Sequence, residues 1–120
     1  MKIKISTRVV TIFDKFVIKF PVSRRGYLQG KNEADLWRRY SYLGMLGKIY
    51  FEFCGIVVMK RYDPLDRPIL KAYIKGIKMF IPELAVANCD LFNSANWGNE
   101  DGSTILIDYG INEHISKLYN

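Results

Sequence analysis

Residues 89–98 have the sequence Cys-Asp-Leu-Phe-Asn-Ser-Ala-Asn-Trp-Gly, and residues 105–110 follow with Ile-Leu-Ile-Asp-Tyr-Gly. An acid therefore opens a loop that ends on Asn and Gly, and an apolar strand then delivers a second acid, an aromatic residue and a glycine. Mg²⁺ takes oxygen ligands and keeps some of its waters, so one carboxylate and an amide oxygen are suitable metal ligands. The other carboxylate would then be free to orient or deprotonate a hydroxyl group. We expect the two acids and the amide to hold a metal–phosphate group around a hairpin.

Length and composition limit the class of protein. A chain of 120 residues with 49% apolar and 25% charged residues is typical of one globular domain, so we expect a single domain over residues 1–120. No window approaches the roughly 18 apolar residues of a membrane span, and residues 1–6 do not resemble a signal peptide. Cys54 and Cys89 lie far apart without metal-site spacing, which favours free thiols in a cytoplasmic protein. Because no membrane span is predicted, we expect no membrane partner.

The net charge of +6 is unevenly distributed along the chain. Residues 1–78 contain 17 basic and 6 acidic residues, a balance of +11, whereas residues 79–120 contain 1 and 6, a balance of −5. The basic part is expected to attract an anionic partner. The sequence has no Arg-rich run and no aromatic-glycine RNA motif, so an acidic protein surface is favoured over nucleic acid. The candidate contacts are Arg24, Arg25, Arg38, Arg39, Lys71, Lys75 and Lys78.

Two hairpins are expected in the first half of the chain. Residues 8–13 and 16–20 predict strands joined by a turn at Asp14-Lys15, and residues 48–53 and 56–62 predict strands joined by Cys54-Gly55. Lys19 lies in the middle of an apolar strand. Side chains alternate along a strand, so a lone charge there normally faces solvent, and a functional role for Lys19 is the alternative.

Two helices are also predicted. After a polar loop over residues 22–31, Asn32 is expected to cap a helix from Glu33 to about Leu43. A turn-rich linker over residues 63–68 precedes a second helix from about Pro68 to Ile81. Its inward positions are expected to be Ile69, Tyr73, Ile74, Ile77, Phe80 and Ile81. These elements predict an α+β fold with an antiparallel sheet packed on a helix, followed by a helix and a β-hairpin.

The order of these elements and acids resembles that of protein kinases and of the aminoglycoside- and lipopolysaccharide-kinase-like proteins, including small phage-encoded members. The matching residues are Val17-Ile18-Lys19, Glu33, Asp90, Asn96 and Asp108-Tyr109-Gly110. The resemblance implies that Lys19 pairs with Glu33 and holds nucleotide phosphates, and that Met59 leads into a hinge facing an adenine edge. It also implies that Asp90 is the catalytic acid and that Asn96 and Asp108 are the metal ligands, with Asn93 as an alternative to Asn96. ATP and Mg²⁺ are the cofactors that it implies. It also implies a kinase N-lobe over residues 1–62 and a minimal C-lobe remnant over residues 63–120.

Departures from the kinase pattern decide which function we expect. Asn96 follows Asp90 by six positions instead of five, no glycine-rich loop precedes residue 8, and most of the C-terminal lobe is lacking. A degenerate, truncated kinase-like binding or inhibitory module, borne by a phage or mobile element and directed at a host complex, therefore ranks first. An active ATP/Mg-dependent phosphotransferase is the alternative, and a purely structural role for the acids is a third. A homodimer that supplies missing surface is compatible with each.

Overall fold

The computed structural model describes residues 2–65, 67–86 and 91–110. Its first part comprises the strands β1 (Lys2–Ile5), β2 (Arg8–Ile12) and β3 (Phe16–Pro21), the helix α1 (Arg24–Tyr40), and the strands β4 (Ile49–Phe53) and β5 (Ile56–Lys60). Its second part comprises β6 (Asp63–Pro64), the helix α2 (Lys71–Phe80), β7 (Trp97–Glu100) and β8 (Ser103–Leu106). The expected α+β class is confirmed.

The first five strands form one antiparallel sheet in the order β1-β2-β3-β5-β4. Both predicted hairpins are present, and β1, which the sequence reasoning missed, adds an outer strand. Cys54 and Gly55 have φ angles of 49° and 83°, so the two-residue turn needs the left-handed backbone that Gly adopts at no cost. This turn sets the register in which β4 pairs with β5.

Helix α1 begins nine residues before the expected start, so the predictions of a loop over residues 22–31 and of Asn32 as the cap are wrong. Ser23 is the cap, and its side chain accepts a hydrogen bond from the Gly26 amide at 3.1 Å. Gly30, predicted to lie in a loop, is a packing residue of α1: a Cβ there would lie 2.1 Å from the carbonyl oxygen of Gly55. Glycine thus lets the helix lie directly against the β4–β5 turn.

The second part is smaller and partly differs from expectation. Helix α2 is shorter than predicted; it buries Ile74 and Ile77 but leaves Tyr73 and Phe80 exposed, so the inward predictions for these two residues are wrong. A second antiparallel sheet, β6-β7-β8, includes β7, whose first residues, Trp97 and Gly98, were expected to lie in a loop. The turn between β7 and β8 lies at Asp101-Gly102, and β8 ends at Leu106, two residues before Asp108.

One contiguous apolar core connects the two parts. Leu36 of α1 and Val57 of β5 belong to the same buried cluster as Ile77 of α2, Trp97 of β7 and Leu106 of β8. The segment before β4 also joins β8 directly, because the Gly47 amide donates to the Leu106 carbonyl at 2.7 Å. The core therefore crosses the boundary expected at residues 62 and 63. None of the helices in the described ranges is long and apolar enough to cross a membrane.

Candidate functional site

Lys19 and Glu33 form a buried ion pair between the first sheet and α1. The Lys19 Nζ lies 2.7 Å from Glu33 Oε2, and both side chains are almost completely shielded from solvent. Lys19 shares a sheet face with Val57, its cross-strand neighbour, and this face is turned toward α1. Of the two interpretations of Lys19, the solvent-facing one is therefore wrong. The pairing that the kinase resemblance implies is present, whereas its role in holding phosphate stays a prediction.

Arg8 is a member of this site that the sequence reasoning missed. One of its guanidinium nitrogens donates to Glu33 Oε1, and another lies 3.2 Å from Oδ1 of Asp108. The signal was present in the predicted hairpin: Val10 pairs with Lys19, and Arg8 lies two residues before Val10, hence on the same sheet face. Arg8 links the early acid to the late one.

We call the four charged side chains of Arg8, Lys19, Glu33 and Asp108 the ion cluster. Burial alone would raise the pKa of Glu33, but the positive charges of Arg8 and Lys19 outweigh it and hold the pKa at about 2. Glu33 is therefore ionised at neutral pH. Two cations face two carboxylates, so the cluster is neutral as a unit.

The Asp108-Tyr109-Gly110 segment lies against α1. The Tyr109 amide lies 3.4 Å from Glu33 Oε2, and the Gly110 carbonyl accepts a bond of 2.9 Å from Asn32 Nδ2. The Tyr109 hydroxyl donates to the Gly47 carbonyl at 2.8 Å, and burial raises the pKa of this phenol above its usual range. Asn32, expected to be a helix cap, instead fixes the end of this segment.

The two predicted metal ligands lie on neighbouring segments. Asn96 ends the 3₁₀ turn Ser94–Asn96, and its carbonyl accepts a bond of 2.8 Å from the Ile107 amide, which places the turn beside Asp108. The alternative amide, Asn93, is engaged elsewhere because its side chain accepts from the Ala95 amide at 3.0 Å. Within residues 2–65, 67–86 and 91–110, no three His, Cys, Asp or Glu side chains are grouped closely enough to hold a metal ion.

Asp90, the predicted catalytic acid, lies outside the described residues.

The ion cluster does not fit a metal–phosphate group in this arrangement. The ammonium of Lys19 is buried and already donates to Glu33 and, at 2.9 Å, to the Ile107 carbonyl. Arg8 occupies one oxygen of Asp108, whose side chain is 43% exposed. An incoming phosphate would have to displace these internal acceptors. In this arrangement the ion cluster supports no chemical step through ATP or Mg²⁺.

The predicted hinge is likewise engaged in the sheet. Met59 is buried in the core, the Lys60 amide donates to the Lys48 carbonyl at 2.9 Å, and the Arg61 amide donates to the Lys15 carbonyl at 3.2 Å. Two clefts of about 230 and 210 Å³ lie nearby. They are lined by residues of segments 60–67 and 99–102, and none of these residues belongs to the ion cluster. The amides expected to face an adenine are thus already bonded within the protein.

The predicted basic contacts separate into two groups. On α1, the guanidinium groups of Arg38 and Arg39 lie 3.8 and 2.9 Å from the Asp35 carboxylate, and Arg39 also pairs with Glu83. Arg24 is exposed near the start of the helix, and Arg25 is half-buried. On α2, Lys71 and Lys75 are exposed and Lys78 is half-buried; none of the three pairs with an acid of the described segments. Among the predicted contacts, α2 therefore carries three cations that have no acidic partner in the described segments, whereas Arg38 and Arg39 of α1 are paired.

Comparison with known proteins adds no assignment: no protein-family profile matches the chain, and no curated protein or solved structure is significantly similar to it.

Proposed function

We propose that this chain is a catalytically inactive, degenerate kinase-like module that binds an acidic protein surface through α2. The supporting observation is the division of its positive charge. Arg8 and Lys19 are neutralised inside the ion cluster, whereas Lys71, Lys75 and Lys78 have no acidic partner in the described residues. Charge that is already paired and buried contributes little to recognition, and unpaired surface charge attracts an anionic partner.

The surface of α2 has the composition of a protein-binding surface. Its three lysines recur at positions i, i+4 and i+7 and therefore lie along one side of the helix. Met79 and Phe80, at the C-terminal end of α2, are exposed apolar side chains that could anchor a partner by burial. The ten residues of α2 include no acid. An acidic protein surface with some apolar content is the partner that this chemistry fits.

An inhibitory role follows from the same contact. A small module that covers an acidic surface of a larger complex prevents other basic ligands from reaching it. Arg38 and Arg39 should contribute less, because both must first leave Asp35 and Arg39 must also leave Glu83. Arg24 and Arg25 are secondary contacts in this proposal. The lysines of α2 determine the affinity and its dependence on salt.

Immobilised poly-L-glutamate is a defined acidic probe for this surface. The test variant replaces Lys71, Lys75 and Lys78 with Gln, and the control variant replaces Lys2, Lys4 and Lys15 with Gln. Both lose three positive charges, from +6 to +3, so that only the position of the charge differs. We expect the test variant to elute at a clearly lower NaCl concentration than the control. Equal elution of the two variants would contradict the proposed α2 surface.

An active ATP/Mg-dependent phosphotransferase is the second candidate, and one observation favours it. Lys19 and Glu33 form the ion pair on which phosphate positioning depends in the kinase resemblance. This candidate requires Arg8 to release Asp108 and the Lys19 ammonium to become accessible. A thermal melt with Mg-ATP separates the candidates: a ligand at a hundred times its Kd stabilises a protein by about 2.7 kcal/mol. We expect no shift, and a shift that is abolished by Asp108→Asn would favour the phosphotransferase.

A further inference from the structure

The side of the first sheet that faces away from Lys19 and α1 carries apolar side chains on all five strands. Residues paired across neighbouring strands point to the same side, so the strand register defines two rows of side chains on this side. We call these two rows the outer sheet face. The first row is Ile3, Thr11, Ile18, Val58 and Phe51, and the second is Ile5, Val9, Phe20, Ile56 and Phe53.

The outer sheet face remains open to solvent in the described part of the chain. Five of its large side chains are between 51% and 76% exposed, namely Ile3, Ile5, Phe20, Phe51 and Phe53. The other five are only half-buried. Exposed apolar patches larger than a few hundred Å² are uncommon on monomers and indicate an interaction surface.

The size of this face matches the requirement of a stable protein interface. The five most exposed side chains together leave the equivalent of about three whole side chains in solvent, or roughly 450–750 Å² at 150–250 Å² for each large side chain. The five half-buried residues add to this area. A standard interface needs about 800 Å² from each partner, and a face of this extent reaches that value.

The charge of the face selects the kind of partner. Neither row contains an ionisable side chain, because alternation turns Lys2, Lys4, Arg8, Lys19 and Glu52 to the α1 side. Lys60 lies on the outer side next to the first row, opposite Phe16, but it is paired with Glu100. An anionic membrane or an acidic protein would be recognised by unpaired cations, and the two rows contain no cation. A neutral, apolar, self-complementary surface is the kind that a second copy of the same chain presents.

We propose that the outer sheet face is a homodimer interface in which the sheets of two copies pack face to face. Two sheets stack about 10 Å apart with nearly aligned strands. A twofold axis parallel to the strands reverses the strand order, so that Phe53 lies over Ile5 and Phe51 over Ile3 of the other copy. The central strand β3 then meets its own copy, with Phe20 and Ile18 at the axis. The proposal is independent of the α2 surface.

Molecular mass in solution tests this directly. The full chain of 14.0 kDa should sediment as a dimer of roughly 28 kDa, twice that mass, at micromolar concentration. Phe53→Glu places a charge at both edges of the interface and should raise the dimer dissociation constant at least a hundredfold. Tyr42→Glu is the matched control, because Tyr42 is 79% exposed in the 3₁₀ turn after α1 and lies outside the two rows. Circular dichroism establishes that both variants are folded.

A paired substitution tests the arrangement of the two copies. Ile5→Glu should weaken the dimer as Phe53→Glu does, whereas combining Ile5→Glu with Phe53→Lys should restore affinity at least tenfold relative to either single change. Failure of this rescue would overturn the arrangement. A wild-type chain that stays at 14.0 kDa up to 200 µM, or a dimer that Phe53→Glu and Tyr42→Glu affect equally, would overturn the interface itself. A monomer that instead cosediments with anionic lipid vesicles would assign the face to a membrane.

Discussion

Replacing Glu33 with Gln removes the only carboxylate that contacts both buried cations of the ion cluster. The side chain keeps its shape, but Lys19 loses the negative charge that lies 2.7 Å from its Nζ. One guanidinium nitrogen of Arg8 loses its carboxylate partner. Removing one partner of a buried ion pair costs about 3–5 kcal/mol, because the remaining charge stays buried without compensation. We therefore expect Glu33→Gln to lower the free energy of unfolding by about 4 kcal/mol. For a domain whose total stability is about 5–15 kcal/mol, this is a large loss.

Urea denaturation followed by circular dichroism measures this change. Glu100→Gln is the matched control, because Glu100 pairs with Lys60 and both side chains are 39% exposed. An exposed pair contributes about 0–1 kcal/mol, so the control should be nearly neutral. Replacing Lys19 as well, in the double variant Glu33→Gln with Lys19→Met, should recover part of the stability, because it removes one buried charge that has lost its carboxylate partner. If Glu33→Gln costs no more than Glu100→Gln, the buried cluster does not exist as described.

Three further outcomes follow from the structure. Lowering the pH from 4.5 to 2 should remove about 3 kcal/mol of stability, measured by urea titration at each pH, because the folded-state pKa of Glu33 is about 2 against an ordinary 4.5. The contribution of ionised Glu33 to stability is complete above pH 4.5 and is lost as the pH falls through 2. The Glu33→Gln variant should lack this pH-dependent component. Gly30→Ala should destabilise the fold by roughly 2–3 kcal/mol, measured as a lowered urea midpoint, because the added Cβ would meet the Gly55 carbonyl at 2.1 Å; a neutral effect would contradict the close packing of α1. Gly76→Ala should stabilise by about 1 kcal/mol, because nothing lies within 4 Å of the added Cβ in the helix interior, and a loss of thermal stability would contradict the geometry of α2.

The hairpins of the first sheet can be predicted from the sequence because the residues that define them lie next to one another in the chain. Alternating apolar residues and the Cys54-Gly55 turn define β4 and β5 without reference to the rest of the chain. The start of α1 could not be predicted in this way. Glycine has poor helix propensity, but at Gly26 and Gly30 it leaves room for the backbone of Thr7 and Gly55, which approach α1 from the β1–β2 and β4–β5 turns.

The ion cluster was likewise predicted only in part from the sequence. Lys19, Glu33 and Asp108 were predicted from their order in the sequence, and the structure places Lys19 against Glu33 and Arg8 between Glu33 and Asp108. Arg8 was missed because a basic residue at the start of a strand looks like an ordinary surface charge. Strand register places Arg8 on the same sheet face as Lys19, and tertiary packing then brings it to Asp108, a hundred positions further along the chain.

The most direct measurement of the closed cluster is an NMR pH titration of the Glu33 side-chain carboxyl carbon, with and without Mg-ATP. We predict a Glu33 pKa of about 2 and no change in the Glu33 or Asp108 carboxyl signals on adding the nucleotide, because Arg8 and Lys19 already hold both acids. A pKa near the ordinary 4.5, or carboxyl signals of both acids that shift with Mg-ATP, would contradict the account.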